Sequence, residues 1–413
     1  MPDQNRAYFL FLISTSMTKF SVFITISLTF WCFFSCKEIL PKGLDDDQIL
    51  DGTVEGLTEA ELIQFERGDE AFREVFVKET GLGPSFVTAS CVSCHAGDGK
   101  GHPFTTLTRF GQPDEYGNQF MHLGGPQLQN RSLPGYEPES IPLGATFAKF
   151  TPPANTGLGY LEYVSDADIL AMSDPNDDDK DNISGTPNYG HIPDYLTKKS
   201  DAIPNNDKYI LRFGKKAAAY NLLHQTANAY NQDMGITSSY ESIDAFTLKK
   251  IEPEITVNKL NDVVFYLETL KAPIQRNTND PIVQSGLMVF KEIGCEKCHK
   301  QTLKTGKAPI DALSEKEFHP YTDLLLHDMG SGLDDGYTEA LAKTYEWRTP
   351  PLWGLGLSSD SQGGAYYLMH DGRARSIEAA ILLHGGEALF TKTKYESLSA
   401  SEKAALITFL NSL

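Results

Sequence analysis

The sequence predicts a mostly α-helical protein built from two similar halves in tandem. A Gly-x-x-x-Phe pattern occurs at Gly68–Phe72 and returns at Gly286–Phe290. Thr151-Pro-Pro has a counterpart in Thr349-Pro-Pro. Both pairs keep the same order along the chain, so a duplication explains them better than chance does. We therefore expect the two halves to share one local architecture.

Predicted helices open and close each half. Residues 57–77 place apolar side chains near helical spacing, which predicts an amphipathic helix. Residues 263–270 and 406–413 match one another and are predicted to be closing helices, the second beginning at a capping box, Ser399 to Glu402. Residues 271–280 contain Pro273 and are predicted to be the linker between the halves.

One short motif follows the opening helix of each half. The first motif is Cys91-Val-Ser-Cys94-His95 and the second motif is Cys295-Glu-Lys-Cys298-His299. C-x-x-C-H is the attachment signature of a c-type haem, in which the thiols form thioethers and the histidine becomes the proximal iron ligand. A zinc site or a redox dithiol is the alternative for a single copy, but no finger-like ligand pair follows either motif. The sequence therefore predicts two covalently bound c-type haems and a fold of two tandem cytochrome c-like domains with long haem-wrapping loops.

Length and composition are those of a globular protein with two domains. The 413 residues are 40% hydrophobic and 22% charged. We expect an N-terminal domain at 55–272 and a C-terminal domain at 273–413. The net charge of -19 argues against a nucleic-acid partner, because nucleic acids attract basic surfaces. An acidic surface would steer a small basic cytochrome, and solvation alone is the alternative explanation.

The N-terminus predicts export. Residues 1–36 contain an apolar run of signal-peptide length, with Met17 as an alternative start, and 37–54 are predicted to be a polar tether. Phe33-Phe-Ser-Cys36 resembles a loose bacterial lipobox, which would make Cys36 a lipid-bearing N-terminus. A plain signal peptide or an uncleaved anchor is the alternative. The expected location is the periplasm or outer membrane of a bacterium, with the membrane reached only through the lipid anchor.

Longer stretches outside the two motifs also match one bacterial family. They are Gly81-Leu-Gly-Pro-Ser-Phe, Gly99-Lys-Gly101, Arg212-Phe-Gly-Lys-Lys-Ala217, Asp233-Met-Gly-Ile-Thr237, Tyr321-Thr-Asp-Leu-Leu-Leu-His-Asp-Met-Gly330 and His370-Asp-Gly-Arg-Ala374. From about residue 55 onward the chain resembles the bacterial di-haem oxidoreductases, often labelled thiol oxidoreductases, and is more distantly similar to di-haem cytochrome c peroxidases. The resemblance implies an electron-accepting haem, a peroxide-reactive haem, a small electron-donor protein or cytochrome, and peroxide or a similar small oxidant.

The resemblance also implies roles for individual residues. In the peroxidases the sixth ligand of the C-terminal haem lies fourteen residues after the histidine of His-Asp-Gly, which from His370 gives His384. A packed helix histidine is the alternative for His384. At the N-terminal haem, Gln225 would orient peroxide and Asp233 would be the general acid and base, with packing or surface roles as the alternative. Three further histidines are alternative distal ligands there: His102, His122 and His224.

Alternating acidic residues predict a calcium loop. Asp177, Asp179 and Asp181 have the spacing of a calcium loop, and the relatives often bind calcium between their domains. Asn182 stands where the turn glycine is expected and no glutamate closes the loop, so a solvated acidic turn is the alternative.

The predicted function is a peroxidase-like di-haem oxidoreductase in which electrons pass between the two haems. Trp347 or Trp353 would lie between the haems or serve only in packing. The alternative is a non-catalytic electron-transfer cytochrome with two six-coordinate haems. Thiol–disulfide exchange is excluded by the haem interpretation, because thioether-bound sulfurs cannot exchange.

Overall fold

A computed structural model of the chain describes residues 50–114 and 116–413. The predicted signal segment 1–36 with Cys36, and the predicted tether up to residue 49, lie outside the described residues. The last tether residues pair with the end of the N-terminal half, since the Val54 amide donates to the Thr269 carbonyl at 2.8 Å. The described chain from residue 50 onward packs as one unit, and the boundary at 272/273 stays a prediction.

Ten α-helices occur in the described part of the chain. Residues at their ends explain where they begin and stop. The predicted capping box from Ser399 to Glu402 is confirmed, and Asp280 caps the helix that starts with Pro281 and ends before left-handed Gly294. The helices are α1 (Glu59–Arg73), α2 (Leu158–Glu162), α3 (Asp166–Met172), α4 (Leu222–Met234), α5 (Val257–Thr269), α6 (Pro281–Ile293), α7 (Ser358–Ser361), α8 (Ile377–Leu383), α9 (Leu389–Ser397) and α10 (Ala400–Ser412).

The described strands are short and pair in twos. Each pair is antiparallel: β1 with β3, β2 with β4, β5 with β6, β7 with β8 and β9 with β10. The strands are β1 (Ser85–Phe86), β2 (Leu107–Phe110), β3 (Arg131–Ser132), β4 (Phe147–Phe150), β5 (Asn188–Gly190), β6 (Tyr209–Leu211), β7 (Leu303–Lys304), β8 (Glu317–Phe318), β9 (Leu326–Asp328) and β10 (Glu346–Arg348).

The predicted fold class is wrong. The structure is only 35% helix, with 12% strand, and so it is not plainly a mostly α-helical pair of tandem cytochrome c-like domains with long haem-wrapping loops. Segments expected to be irregular instead form two-stranded ladders. The physical reason is visible in β4, whose residues alternate between exposed and buried. Such a half-buried segment satisfies its backbone hydrogen bonds with a partner strand.

A glycine lies at the helix crossing in each half. A Cβ on Gly68 of α1 would collide with the Asp262 carbonyl oxygen of α5. A Cβ on Gly286 of α6 would collide with the Ala405 carbonyl oxygen of α10 and would lie 2.6 Å from the Cβ of Phe409. Both crossings need glycine because any side chain would push the helices apart. The duplication in sequence is therefore a duplication in structure.

Two main apolar clusters form the core, and each contains one helix crossing. The first includes Phe72 and Tyr266, and the second includes Phe290 and Phe409. Trp353, which follows the second motif in sequence, packs in the first cluster. The C-terminal half thus contributes to the core of the N-terminal half. Among the described helices, none has the length and apolar character needed to cross a membrane.

Candidate haem centres

Both motifs form the same tight turn. Cys91–Ser93 and Cys295–Lys297 are single 3-10 turns, and the histidine amide that follows donates to the first cysteine carbonyl at 3.0 Å in each case. The four cysteines are free thiols. The turn therefore presents two unpaired thiols and one imidazole from a single short coil.

The same aromatic residue packs near each motif histidine. The ring centroid of Phe72 lies 6.3 Å from that of His95 at an interplanar angle of 54°. The ring of Phe290 lies 6.4 Å from that of His299 at 53°. Each ring comes from the Gly-x-x-x-Phe pattern of the opening helix, so the repeated sequence positions equivalent apolar surfaces at both motifs.

Both motif histidines are in the form that binds iron. Burial lowers the pKa of His95 and of His299 to about 4, so both are neutral near pH 7. His299 Nδ1 donates to the Tyr321 carbonyl at 3.0 Å, which leaves the Nε2 lone pair free. At His95 the Pro153 carbonyl opposes part of this lowering of the pKa. The contact does not have the geometry of a hydrogen bond, so His95 Nδ1 has no hydrogen-bond partner among the described residues. The paired thiols, neutral imidazoles and aromatic surface fit a haem at each motif.

The thiols are poorly suited to disulfide chemistry. Burial raises the pKa of Cys91 and Cys295 to about 12 and that of Cys94 to about 11. A redox-active CxxC needs a lowered thiol pKa, because the thiolate is the nucleophile. The local environment therefore disfavours thiol–disulfide exchange at these motifs.

His384 lies near the second motif. It follows the last residue of α8, and its Nδ1 donates to the Ala380 carbonyl at 2.8 Å. In the described part of the chain its Nε2 has no hydrogen-bond partner, and its charge lowers the pKa of His299. The structure thus brings His384 and His299 together, each with a free Nε2. Iron ligation by His384 stays a prediction.

Asp233, near the end of α4, interacts electrostatically with the cysteines of the first motif. Its charge raises the pKa of Cys91 and Cys94. Burial raises its own pKa to about 7, and the charge of Arg109 opposes this rise. Gln225 lies eight positions earlier, roughly 12 Å along the helix at 1.5 Å per residue. Among the described contacts only Asp233 is tied to the first motif, and the roles of both residues stay predictions.

The three alternative distal histidines are engaged elsewhere or exposed. His102 Nδ1 accepts from the Phe104 amide at 3.2 Å. His224 is buried, and its Nδ1 accepts from the Tyr220 amide at 3.2 Å. His122 is exposed. No described contact ties any of them to the first motif.

An equivalent loop precedes α4 and α8. Residues 213 and 219 form an antiparallel bridge, and so do 368 and 374. Two residues after each bridge comes the helix cap, Asn221 for α4 and Ser376 for α8. The second residue of each loop, Gly214 or Met369, has a positive φ. The two loops therefore correspond residue for residue in sequence register.

This register identifies the counterpart of His384. Eight residues after Ser376 is His384, and eight residues after Asn221 is Ala229. Alanine has no atom that binds iron. Sequence reasoning missed Ala229, because the segments around Phe213 and His370 share few residues. Their equivalence is visible only from the backbone bridge and the helix cap that both segments have.

The family model described as "Di-haem oxidoreductase, putative peroxidase" matches residues 148–413, more than half of the chain. The chain belongs to the di-haem oxidoreductase family. Haem is accordingly its cofactor. No curated protein sequence matches it. Among solved structures, hydrazine synthase of Kuenenia stuttgartiensis pressurised with xenon is similar at 14% identity and a TM-score of 0.36, over 91% of this chain and 98% of that one.

The acidic segment of this di-haem oxidoreductase divides into two parts. Carboxylate oxygens of Asp174, Asp177 and Asp179 lie within 4.8 Å of one another. Asp181 instead pairs with Lys297 of the second motif at 2.7 Å. Calcium binding stays a prediction. The residue beside Asp177 and Asp179 is Asp174 rather than Asp181.

Two tryptophans occupy different environments. Trp347 is stacked on the His370 ring at 3.7 Å, and the Lys216 ammonium lies 3.7 Å from the Trp347 ring centroid. Trp353 packs on Phe318 in the first core cluster. A position for either ring between the haems stays a prediction.

A buried histidine beside the second motif was missed. His327 is held by Asp323 at 2.9 Å and Glu387 at 2.7 Å, and its Nδ1 lies 3.6 Å from the Cys298 sulfur. Burial alone would lower the pKa of His327, but hydrogen bonds to Asp323 and Cys298 raise it well above its usual value. The Leu-His-Asp sequence around it was part of the family resemblance, and that was the available signal.

Proposed function

We propose that this di-haem oxidoreductase is an exported c-type cytochrome enzyme that reduces hydrogen peroxide or a similar small oxidant. The observation that carries the proposal is the difference between the two motifs. The second has His384 nearby with a free Nε2, whereas the first has Ala229 at the equivalent position and the partly buried carboxyl of Asp233 beside the motif. One centre is built for electron transfer and the other for substrate.

The two motifs hold the haems. Cys91 and Cys94 form the thioethers of the first haem, and Cys295 and Cys298 form those of the second. His95 and His299 are the proximal ligands. When bound, each haem supplies an iron that stores one electron and, where a coordination position is open, binds oxygen atoms.

His384 would be the second histidine ligand at the second centre. Its Nδ1 is fixed by the Ala380 carbonyl, so Nε2 is oriented by a hydrogen bond in the way that metal-binding histidines usually are. Two imidazole ligands give a lower reduction potential than a histidine and a methionine, because methionine raises the potential. A haem held by His299 and His384 would serve to accept electrons from a donor, and the first motif would hold the haem at which the oxidant is reduced.

Asp233 moves protons at the first centre. Its pKa of about 7 makes both protonation states accessible near neutral pH. As a carboxylate Asp233 would take a proton from one peroxide oxygen, and as an acid it would return that proton to the other oxygen. Two electrons and two protons then convert one hydrogen peroxide into two waters as the O–O bond breaks.

The donor and the location follow from charge and from the predicted signal. A net charge of -19 favours a small basic electron-donor protein such as a cytochrome. Export, and anchoring at Cys36 in the periplasm or outer membrane, agree with haem attachment after export in bacteria. The alternative function is a non-catalytic electron-transfer cytochrome, which would require a sixth ligand at the first iron as well.

Peroxide turnover by Asp233→Asn tests the proposal. The variant should keep its haem content but reduce peroxide roughly 10²–10⁴-fold more slowly, as loss of a general acid–base group does. The wild-type rate should fall as the pH drops below about 7, because protonation removes the base form. Asp194→Asn, at an exposed position, is the matched control and should behave as wild type. Absence of peroxide turnover by the wild type would instead support the electron-transfer cytochrome.

A further inference from the structure

Lys216 shows how this fold satisfies a buried cation. Its ammonium donates to the carbonyls of Lys343, Thr344 and Glu346 at 2.9–3.0 Å. The carboxylate of Asp335 lies 3.8 Å away. The side chain is fully buried, and the protein alone provides all of its partners.

Three neighbouring cations are not satisfied in this way. Lys100, Lys215 and Arg348 make no ion pair within the described ranges. Burial and the charges of Lys100 and Arg348 together lower the pKa of Lys215 to about 7, and the charge of Asp371 opposes this lowering. Part of each of the three residues remains accessible to solvent. We call these three residues the cation cluster.

Backbone hydrogen bonds fix the geometry of the cation cluster. The Arg348 amide donates to the Lys215 carbonyl at 3.0 Å, which ties the two segments together. Arg348 Nε donates to the Gly214 carbonyl at 3.0 Å, and Nη1 donates to the Thr349 carbonyl at 3.4 Å. The described chain offers no acceptor to Nη2. The guanidinium is therefore anchored on one side and has free donors on the other.

The cation cluster interacts electrostatically with groups at both motifs. Lys100 follows His95 by five residues, and the charge of Lys215 lowers the pKa of His95. On the other side Arg348 interacts with the charge of Asp323, and that charge also acts on His299. The charges of these cations are therefore felt at the first motif and beside the second.

Partly buried cations without a carboxylate in direct contact are unexpected in so acidic a chain. The sequence has 55 acidic and 36 basic residues, yet none of its described carboxylates lies within 4 Å of these three groups. A desolvated charge without a partner is costly, so such groups usually pair with an ion of opposite sign. An anionic group on a bound molecule would supply the counter-charge that the described chain does not.

We propose that Lys100, Lys215 and Arg348 would bind propionate carboxylates of the haems and place positive charge close to at least one of them. The inference rests on the proposed haem positions at the two motifs. Propionates are the anionic groups of a haem, and the Arg348 fork matches a carboxylate. A positive field stabilises the reduced iron, so these residues raise the reduction potential of the haem they contact.

Redox titration of the haem-loaded, full-length Lys215→Met variant tests the inference. At a fixed potential the ferrous-to-ferric ratio of at least one haem should fall about tenfold, which for a one-electron couple is about 59 mV. Lys215→Arg keeps the charge and should restore the wild-type ratio, which a packing role would not do. Lys149→Met removes an exposed lysine and is the matched control.

Haem content separates the two ways in which the inference can fail. Intact mass and the haem absorption of denatured protein report covalent attachment in every variant. If two haems are attached and Lys215→Met titrates like Lys149→Met, the propionate assignment is overturned while the haem sites stand. If the wild type carries no covalent haem, the attachment itself fails, and the assignment falls with it.

Discussion

The glycine at each helix crossing gives the sharpest stability prediction. In Gly286→Ala the new methyl would lie 2.6 Å from the Cβ of Phe409 and would collide with the Ala405 carbonyl. Ordinary carbon–carbon contacts are about 3.5–4.0 Å, so α10 must move away from α6 by roughly 1 Å. The Ala405 carbonyl belongs to the helix backbone, so it cannot rotate away from the new methyl as a flexible side chain could.

The expected cost follows from that displacement. Overpacking of this kind costs about 1–3 kcal/mol, and collision with backbone places Gly286→Ala at the upper end. Alanine returns about 1 kcal/mol through its better helix propensity. The net loss of unfolding free energy should therefore be about 2 kcal/mol, and Gly68→Ala should lose a similar amount because its crossing is equivalent.

Urea unfolding of the haem-loaded protein, followed by far-UV circular dichroism, measures this loss. Gly332→Ala is the matched control, because a Cβ there meets nothing within 4 Å, and its effect should stay within about 0.5 kcal/mol. If Gly286→Ala unfolds at the same urea concentration as Gly332→Ala, the close crossing of α6 and α10 is incorrect.

Two further perturbations address buried charge and calcium. Arg212→Leu should lower the unfolding free energy by about 3–5 kcal/mol, because it leaves the fully buried Asp166 carboxylate without its partner. Arg67→Leu removes an exposed ion pair and should lower the unfolding free energy by less than about 1 kcal/mol. Equal effects in urea unfolding would contradict the buried pair. Calcium should raise the Tm of the wild type but not the Tm of Asp177→Asn. If calcium leaves the wild-type Tm unchanged, these carboxylates form a solvated acidic turn and not a calcium site.

Some features could be predicted from sequence because they depend on local spacing. The CxxCH motifs and the Gly-x-x-x-Phe pattern are short, and the structure places their glycines and phenylalanines as the duplication implied. The fold class could not be predicted from sequence, because the strands pair segments that are distant along the chain. Leu107 lies opposite Phe150, for example, and helical periodicity carries no sign of such pairing.

The candidate sites show the same division. Helix geometry separates Gln225 from Asp233, which their spacing already implied. Lys215 and Lys216 are adjacent and chemically identical, yet one is satisfied by three carbonyls and the other makes no ion pair among the described residues. That difference depends on the segment from Lys343 to Arg348, which is distant in sequence, so no local pattern could have revealed it.

Electron paramagnetic resonance of the haem-loaded protein tests the central claim most directly. Spectra of the oxidised and the one-electron-reduced protein are recorded before and after peroxide is added. A high-spin signal that peroxide converts is the predicted result, because the proposal gives the second iron His384 as a ligand and gives the first iron none at the position of Ala229. Two low-spin signals that ignore peroxide in both redox states would contradict the enzyme and establish an electron carrier.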